Sequence, residues 1–199
     1  MFTTLFWLSY ALLWILVVVQ GLAFLEIVRQ LSQLRQRLPR QGALVVEDAI
    51  STGEKLPELI AKASGDLRQA AWQDYLHEEW GLVVFLTIHC LTCKSIAEGL
   101  PGFVANLPDN TSALTIVEGA VDEVRNFAAE TRLPRELVAI DETGATAKRL
   151  GIGWNPAALL VHRGKVGEVA IVNDIDQLDA LIHDFVIHER RIKSGTPIG

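Results

Sequence analysis

The two cysteines of the chain, Cys90 and Cys93, directly follow a continuous apolar run and are separated by two residues. The run spans residues 82–89 and reads LVVFLTIH, a pattern typical of a strand that is buried on both faces. Residues 94–107, which come after the pair, are expected to form a helix. The sequence therefore places both thiols where a buried strand passes into a helix, about one helical turn apart.

Three interpretations of this C-x-x-C pair are open: half of a metal site, a redox pair, or two thiols that serve only as apolar filler. A structural zinc site needs four ligands, and the sequence contains neither a second C-x-x-C nor an H-x3-5-H pair. The five histidines are dispersed, at positions 77, 89, 162, 183 and 188. A redox pair fits the position best, because a thiol at a helix N-terminus meets free N–H groups and the positive end of the helix dipole, which stabilise its thiolate.

Strand and helix patterns alternate along the rest of the chain. Strands are expected at 113–117, 137–140, 157–162 and 166–171, and helices at 121–132, 143–150 and 175–190. Gly99, Pro101 and Gly102 predict that the first helix is kinked or ends early. The order is β-α-β-α, an inserted β-α, then β-β-α, with the C-x-x-C after the first long strand. This order predicts an α/β protein with a thioredoxin-like fold, in which helices flank a central mixed sheet.

The N-terminal segment is predominantly apolar. Residues 2–25 contain no Asp, Glu, Lys, Arg or His, and 24 residues are enough for a helix to cross a hydrocarbon core of about 30 Å. A cleaved signal peptide is the alternative, but such a peptide begins with positive residues and ends at a small-residue cleavage pattern, and neither occurs here. We therefore predict a transmembrane anchor in contact with lipid at 2–25, a juxtamembrane helix or linker at 26–41, the thioredoxin-like domain at 42–190 and a flexible tail at 191–199.

The charge of the chain argues against nucleic acid as a partner. The formal net charge is -6 at pH 7, and Lys and Arg are scattered except for a group that follows the apolar segment. A nucleic-acid-binding domain needs a basic patch. The group comprises Arg29, Arg35, Arg37 and Arg40, and the positive-inside rule applied to it predicts that the following domain is cytoplasmic.

Several short matches, in order along the chain, resemble the membrane-anchored thioredoxin-like (TlpA-like) proteins, and among them the methylamine utilisation proteins of the MauD type. They are LLW at 12–14, RQ at 29–30, GAL at 42–44, Gly53, and LPE at 56–58. The resemblance implies a thiol-disulfide oxidoreductase with a single anchor in the cell membrane and a periplasmic domain, which is the orientation we expect in spite of the arginines. For the MauD type it implies disulfide formation in the small subunit of methylamine dehydrogenase. The implied partners are a client protein with cysteines and a membrane or periplasmic redox partner.

The resemblance also implies roles for individual residues. Cys90 is expected to attack as a thiolate and Cys93 to resolve the mixed disulfide, so the redox-active disulfide between them replaces any separate cofactor, and no metal is expected. Relatives with this fold carry a cis-proline loop that faces the C-x-x-C. This predicts a cis bond between Asn155 and Pro156, and a substrate-binding role for Trp154, Asn155 and Pro156. The alternative for Trp154 is a core or hinge aromatic.

The chain departs from the family at two positions, and two other functions are compatible with a C-x-x-C in this fold. The dipeptide Leu91-Thr92 contains no proline, and His89 stands where many relatives have an aromatic or a small residue, so the direction of electron flow is not carried over. Copper delivery by an anchored thioredoxin fold would use both cysteines and a distant histidine, nominally His162, although such proteins space their cysteines as C-x-x-x-C. A thiol reductase of cytochrome c maturation would share the chemistry and differ in its client.

Overall fold

A mixed sheet of seven strands organises the second of the two units into which the chain divides, residues 1–41 and 42–199. The computed structural model describes residues 7, 12–17, 19, 20, 44, 45 and 49–194. Within these residues the strands are β1 (Leu44–Val45), β2 (Lys62–Ala63), β3 (Trp80–Thr87), β4 (Thr111–Glu118), β5 (Val138–Asp141), β6 (Ala157–His162) and β7 (Lys165–Ile171). Their order across the sheet is β1-β7-β6-β3-β4-β5-β2.

The direction of the strands gives the sheet two distinct ends. β3, β4 and β5 are parallel, whereas β6 runs antiparallel to β3, with Ala157 opposite Phe85 and His162 opposite Trp80. The end of the sheet where β3 to β5 finish and β6 begins is called the thiol end, because Cys90 follows β3 there. The opposite end, which carries Trp80 and His162, is called the far end.

Four helices and the chain between β1 and β3 cover the two faces of the sheet. The helices are α1 (Leu91–Val104), α2 (Val121–Glu130), α3 (Ala145–Arg149) and α4 (Ile175–Ser194). Helices α1, α2 and α4 share an apolar core with one face, and α3 packs with residues 59–75 on the other. The side chains of β3 alternate between these two cores, which confirms the prediction of a strand buried on both faces.

Helix α1 differs from its predicted form at both ends. It begins at Leu91, three residues earlier than predicted, because Cys90 caps it, and it ends at Val104, past Pro101 but three residues before the predicted end at 107. Gly99 has a packing role in this helix. A Cβ atom at Gly99 would lie 2.6 Å from Cγ1 of Ile175, so the absence of a side chain lets α4 approach α1 closely.

The predicted order of elements is confirmed from β3 onward. β5 and α3 form the inserted β-α unit, and Arg163 and Gly164 make the predicted hairpin turn between β6 and β7. The short strands β1 and β2, which add the two outer positions of the sheet, were not predicted. Helix α4 extends to Ser194, beyond the predicted end at 190, because the first residues that favour a helix end come only there.

The predicted anchor at 2–25 falls mostly outside the described residues. Its described part, Trp7, 12–17, 19 and 20, is helical. Among the described residues no helix is both long enough and apolar enough to cross a membrane. The predicted linker at 26–41 and residues 195–199 of the predicted tail also lie outside the described residues.

Candidate active site

Cys90 occupies the N-cap position of α1. Its backbone is extended, with φ -106° and ψ 121°, and its Sγ accepts a hydrogen bond from the backbone N–H of Cys93 at 3.2 Å. A side-chain acceptor at this position satisfies one of the N–H groups that a helix leaves unpaired in its first turn, and a negative charge there is stabilised by the helix dipole. The strand-to-helix junction thus provides a site for a thiolate.

The two thiols have opposite protonation preferences. Partial burial acts to raise the pKa of Cys90. Hydrogen bonds from the side chains and backbone N–H groups of Cys93 and Thr92 outweigh this effect, so the pKa is lowered from its ordinary value of 9.0. Burial raises the pKa of Cys93 to about 12, and the hydrogen bond to Cys90 adds to the shift. The pair therefore consists of an outer thiol that ionises more readily than an ordinary cysteine and an inner thiol that stays protonated at neutral pH.

The surroundings of the two thiols account for this difference. Cys93 is fully buried in the core that α1, α2 and α4 share with the sheet, whereas Cys90 is half-buried. Lys94, the nearest lysine in sequence, directs its Nζ to the carboxylate of Glu130 at 2.9 Å. Its charge is therefore committed to an exposed ion pair on the neighbouring helix. The local hydrogen bonds at the start of α1, together with its dipole, are the main stabilisation of a Cys90 thiolate.

The loop that precedes β6 lies at the same end of the sheet. Because Ala157 is opposite Phe85, continuing the register places Pro156 beside Leu86, four residues before Cys90. The Asn155–Pro156 bond is cis, as predicted from the sequence. Pro156 is buried, and its carbonyl oxygen accepts a hydrogen bond from the N–H of Val172 at 3.3 Å. The structure thus brings the predicted loop to the thiol end.

The residues before Pro156 leave polar groups available. Within the described residues, neither Trp154 nor Asn155 uses its backbone N–H or C=O in a hydrogen bond. The Oδ1 atom of Asn155 is buried and also has no hydrogen-bond partner there. Since buried polar groups are nearly always paired in native proteins, this segment has hydrogen-bonding capacity that the described fold does not use.

Trp154 is 49% exposed, so the structure does not place it in the core. A second exposed apolar residue at this end, Leu91, was not predicted as part of the site. It is 88% exposed at the first position of α1, between the two cysteines. Its position inside the C-x-x-C could have predicted its exposure, because it directly follows the N-cap residue at the end of the sheet.

His162, the nominal copper ligand, lies at the far end. Its ring stacks on Trp80 with centroids 4.0 Å apart, and its Nε2 is 3.3 Å from Oε1 of Glu79. The length of β3 separates it from the cysteines, roughly 20 Å for a strand of this size. The structure therefore does not bring His162 together with Cys90 and Cys93, and the described residues contain no cluster of three potential metal-ligating side chains.

No family model matches the chain, and no curated protein sequence matches it either. Solved structures do match. A protein assigned as the thiol:disulfide interchange protein DsbE from Chlorobium tepidum is 19% identical, with a TM-score of 0.57 over 70% of this chain and 98% of that one. The thioredoxin domain of a thiol-disulfide oxidoreductase from Bacteroides vulgatus is 16% identical, with a TM-score of 0.57 over 69% of this chain and 99% of that one. The fold is thioredoxin-like.

The same fold also occurs in a peroxiredoxin-like protein from Aquifex aeolicus, which is 14% identical, with a TM-score of 0.52 over 72% of this chain and 92% of that one. Proteins of different description therefore share this architecture, so the fold alone does not determine the function. The features that bear on function are the Cys90–Cys93 pair, the start of α1 and the loop before β6.

Proposed function

We propose that the chain is a thiol-disulfide oxidoreductase that acts on cysteine-containing client proteins through Cys90 and Cys93. The observation that carries the proposal is the placement of the two thiols one helical turn apart: the half-buried Cys90 caps α1 and its Sγ accepts a hydrogen bond from the N–H of Cys93 at 3.2 Å, while Cys93 is buried. Thiol-disulfide exchange needs an outer thiolate that attacks and an inner thiol that later resolves the mixed disulfide, and Cys90 and Cys93 are placed for these two roles. Structural filler would require neither the exposure of Cys90 nor its capping geometry.

In the proposed reaction the oxidised protein forms a disulfide in a client. A client thiolate attacks Sγ of Cys90 in the oxidised protein, so a client–Cys90 disulfide forms while the Cys90–Cys93 bond breaks and Cys93 leaves as a thiolate that takes up a proton. A second client thiolate then attacks the client sulfur of the mixed disulfide and displaces Cys90. The client loses two electrons and two protons, and the protein becomes a dithiol. The reverse steps reduce a client disulfide, and the reduction potentials of the two partners set the direction.

The loop before β6 is proposed to hold the client during these steps. Asn155 and Trp154 have backbone N–H and C=O groups without partners in the described fold, and an extended client segment offers the complementary groups. Pro156, buried and tied to Val172, anchors this segment to the sheet, and Trp154 supplies apolar contact. The roles of Trp154, Asn155 and Pro156 are thus client binding.

The finer assignment is a membrane-anchored protein of the MauD type, which forms disulfides in the small subunit of methylamine dehydrogenase on the periplasmic side. Its support is the apolar segment 2–25 and the short matches that run in order ahead of the C-x-x-C. A membrane-impermeant maleimide added to spheroplasts of cells that produce the chain tests the orientation. Labelling of Cys90 supports a periplasmic domain, and labelling only after lysis contradicts it.

A trapping experiment tests the oxidoreductase assignment. Cys93→Ser should accumulate mixed disulfides between Cys90 and clients, because the resolving thiol is missing, whereas Cys90→Ser should accumulate none. Both variants are compared with the wild type by non-reducing electrophoresis after acid quenching, and the redox state of the wild type is followed by an alkylation shift. Absence of adducts from Cys93→Ser, together with a wild type that never forms the Cys90–Cys93 disulfide, would rule out the proposed function.

A further inference from the structure

A small cavity lies at the thiol end, on the face of the sheet that α3 covers. Its volume is about 10 Å³, which is room for about one water molecule. Its apolar lining comes from β3, β4 and α3, and its polar side chains are Glu118, Asp141 and Asn155. A water molecule occupies such a space when it finds two or more polar partners there. The hydrogen bonds of these three side chains therefore decide what the cavity can hold.

Asp141 is already satisfied by the turn that follows β5. Its Oδ1 accepts hydrogen bonds from the backbone N–H groups of Thr143 at 3.2 Å and Ala145 at 3.0 Å, and its Oδ2 accepts one from Thr146 at 2.8 Å. Asp141 is 2% exposed, and a buried carboxylate needs such bonds. Its oxygens are thus committed to shaping the turn.

The other two polar side chains have no partners in the part of the chain that the structure describes. Oδ1 of Asn155 is buried there without a hydrogen bond. The carboxylate of Glu118 makes neither a hydrogen bond nor an ion pair with any described residue. Gly144, with φ +66°, gives this carboxylate its place, because a Cβ atom at Gly144 would lie 3.0 Å from Cδ and Oε1 of Glu118. Two oxygen acceptors thus line one cavity.

Strand β3 separates the two elements that carry these acceptors. Glu118 is the last residue of β4, and Asn155 comes two residues before β6, and both strands flank β3. Adjacent strands are about 4.8 Å apart, so the two backbones are about 10 Å apart, a distance that both side chains and one water molecule span. A carboxylate and an amide oxygen cannot bond to each other, whereas a water molecule can donate one O–H to each.

We propose that Glu118 positions Asn155 through one water molecule held in this cavity. The water donates to the carboxylate and to Oδ1, which keeps Nδ2 of the amide directed towards a client that passes Cys90. The inference rests on the proposed function, in which the loop before β6 binds clients. It adds Glu118 as a positioning residue, which acts on the client only through Asn155. Glu118 is not among the groups that shift the pKa of Cys90, so its effect should be confined to the client.

The test measures exchange between the reduced full-length chain, in a mild detergent, and the symmetric disulfide of acetyl-Gly-Ser-Cys-Ser-Gly-amide. The Cys90 thiolate attacks one peptide sulfur and releases one peptide thiol. Cys93 then loses its proton to water and displaces the second thiol, so the protein gains a disulfide and the dimer becomes two thiols. Quenched single-turnover samples give the rate by mass spectrometry. Alkylation of Cys90 by iodoacetamide, on the same preparation, measures thiol reactivity without a client.

Glu118→Leu should slow exchange about threefold, because Asn155 loses the hydrogen bond that orients it. Glu118→Ala should have the same effect, and its small side chain cannot clash with Gly144, so the result does not depend on how one variant folds. Glu118→Gln keeps an oxygen acceptor of the same reach and should stay within about twofold of the wild type. Each variant should leave the alkylation of Cys90 unchanged.

Glu136→Leu is the matched control for charge and size. Glu136 is exposed in the turn Arg135–Leu137, directly before β5, and therefore lies at the far end. The control removes the same carboxylate and adds the same side chain as Glu118→Leu. It should alter neither exchange nor alkylation.

The decisive comparison repeats Glu118→Leu in the Asn155→Ala variant. If Glu118 acts through the amide, its substitution slows exchange in the wild type and changes nothing further once the amide is gone. An effect of the same size in both backgrounds would overturn the proposal, because Glu118 would then act independently of Asn155.

The remaining outcomes separate this proposal from the proposed function. Wild-type exchange in Glu118→Leu and Glu118→Ala would overturn the positioning role, as would a Glu118→Gln variant that is as slow as Glu118→Leu. A parallel loss of Cys90 alkylation would also overturn it, since Glu118 would then act on the thiol. All three results leave the oxidoreductase assignment intact. Failure of the wild type to exchange with the peptide disulfide would instead overturn the proposed function, and the positioning role with it.

Discussion

The two ends of the sheet differ in how their surface groups are satisfied. At the far end, Oε1 of Glu79 accepts a hydrogen bond from Arg163 at 2.8 Å and lies 3.3 Å from His162, whose ring is stacked on Trp80. At the thiol end, by contrast, the backbone groups of Trp154 and Asn155 have no hydrogen-bond partner within the described residues, and the side chains of Leu91 and Trp154 are exposed. The fold thus covers one end of the sheet with its own side chains, and the uncovered groups at the other end are those that the proposed function assigns to contact with a client.

The groups left over at the thiol end are of three kinds, and each has a separate cause. The thiol of Cys90 is half-buried and stays partly accessible because it lies at the N-cap, at the end of α1. The backbone of Asn155 is unpaired because the ladder between β3 and β6 begins only at Ala157. Leu91 and Trp154 are exposed because no other described element covers the start of α1 or the loop. The comparison predicts that substitutions at the thiol end change exchange, and that those at the far end change only stability.

Replacing the cap residue should produce the largest effect. Cys90→Ser removes the attacking thiolate, so the reduction of a symmetric peptide disulfide by the reduced chain should slow by a thousandfold or more, on the order found when an enzyme loses its nucleophile. Stability should change little, because serine is also a good N-cap residue. Peptide thiol release measured against time gives the rate. A variant that kept a tenth of the wild-type rate would mean that Cys90 is not the attacking group.

The two cysteines themselves should differ strongly in alkylation. The lowered pKa of Cys90 means that its reaction with iodoacetamide rises with pH to a plateau with a midpoint below 9.0, and falls as the pH drops through that midpoint. Cys93, with its pKa raised to about 12, stays protonated across the same range, and its alkylation at pH 8 should be on the order of a hundredfold slower.

The raised pKa of Cys93 also predicts how the stability of the reduced protein changes with pH. A buried thiol whose pKa is raised stabilises the reduced fold fully below its unfolded value near 9.0, and this contribution is lost as the pH rises towards about 12.

Mass spectrometry of each single-cysteine variant after timed labelling measures the alkylation. Equal labelling of Cys90 and Cys93 in the folded chain would contradict the division into an outer and an inner thiol.

A moderate effect is expected at the loop. Asn155→Ala should slow exchange with a peptide disulfide by about three- to tenfold, because it removes the hydrogen bond that the side-chain Nδ2 would donate to a client, Oδ1 being buried, and one hydrogen bond is worth about that factor. The free energy of unfolding should change by less than about 1 kcal/mol, since Oδ1 has no partner to lose within the described fold. Exchange rate and urea unfolding are measured on the same preparation.

Asn106→Ala is the matched control for this variant. Its Nδ2 donates a hydrogen bond to the carbonyl oxygen of Gly102 at 2.7 Å at the end of α1, away from the start of that helix. The control should therefore lose a few tenths to about 1 kcal/mol of stability and no exchange activity. If both asparagine variants behaved alike, the unpaired amide at Asn155 would have no special connection with clients.

Much of this contrast was accessible from the sequence. The apolar run, the C-x-x-C and the hairpin turn are local signals, and together with the alternation of strand and helix patterns they were enough to predict β3, the cap and the order of elements. The cis bond was predicted from the resemblance to relatives with this fold. The strands β1 and β2 were missed because two-residue strands have no period to detect, and their pairing with β7 and β5 depends on distant residues. Leu91 was missed because exposure depends on what the rest of the fold covers. Asn155 was predicted by position, but its missing partner is visible only in three dimensions.

The smallest effect is expected at the far end. Glu79→Gln keeps the size of the side chain and removes its charge, which weakens its contacts with Arg163 and His162. These side chains are 32%, 66% and 20% exposed respectively, so water screens the pair. An ion pair of this kind is worth about 0–1 kcal/mol, and salt reduces it further. Urea unfolding at low and high salt should therefore show a loss below about 1 kcal/mol that shrinks with added salt. Exchange with the same peptide disulfide should equal that of the wild type, because the length of β3 separates Glu79 from Cys90. A slower exchange without any loss of stability would show that the far end is coupled to the thiols, and the two ends would no longer be separate in function.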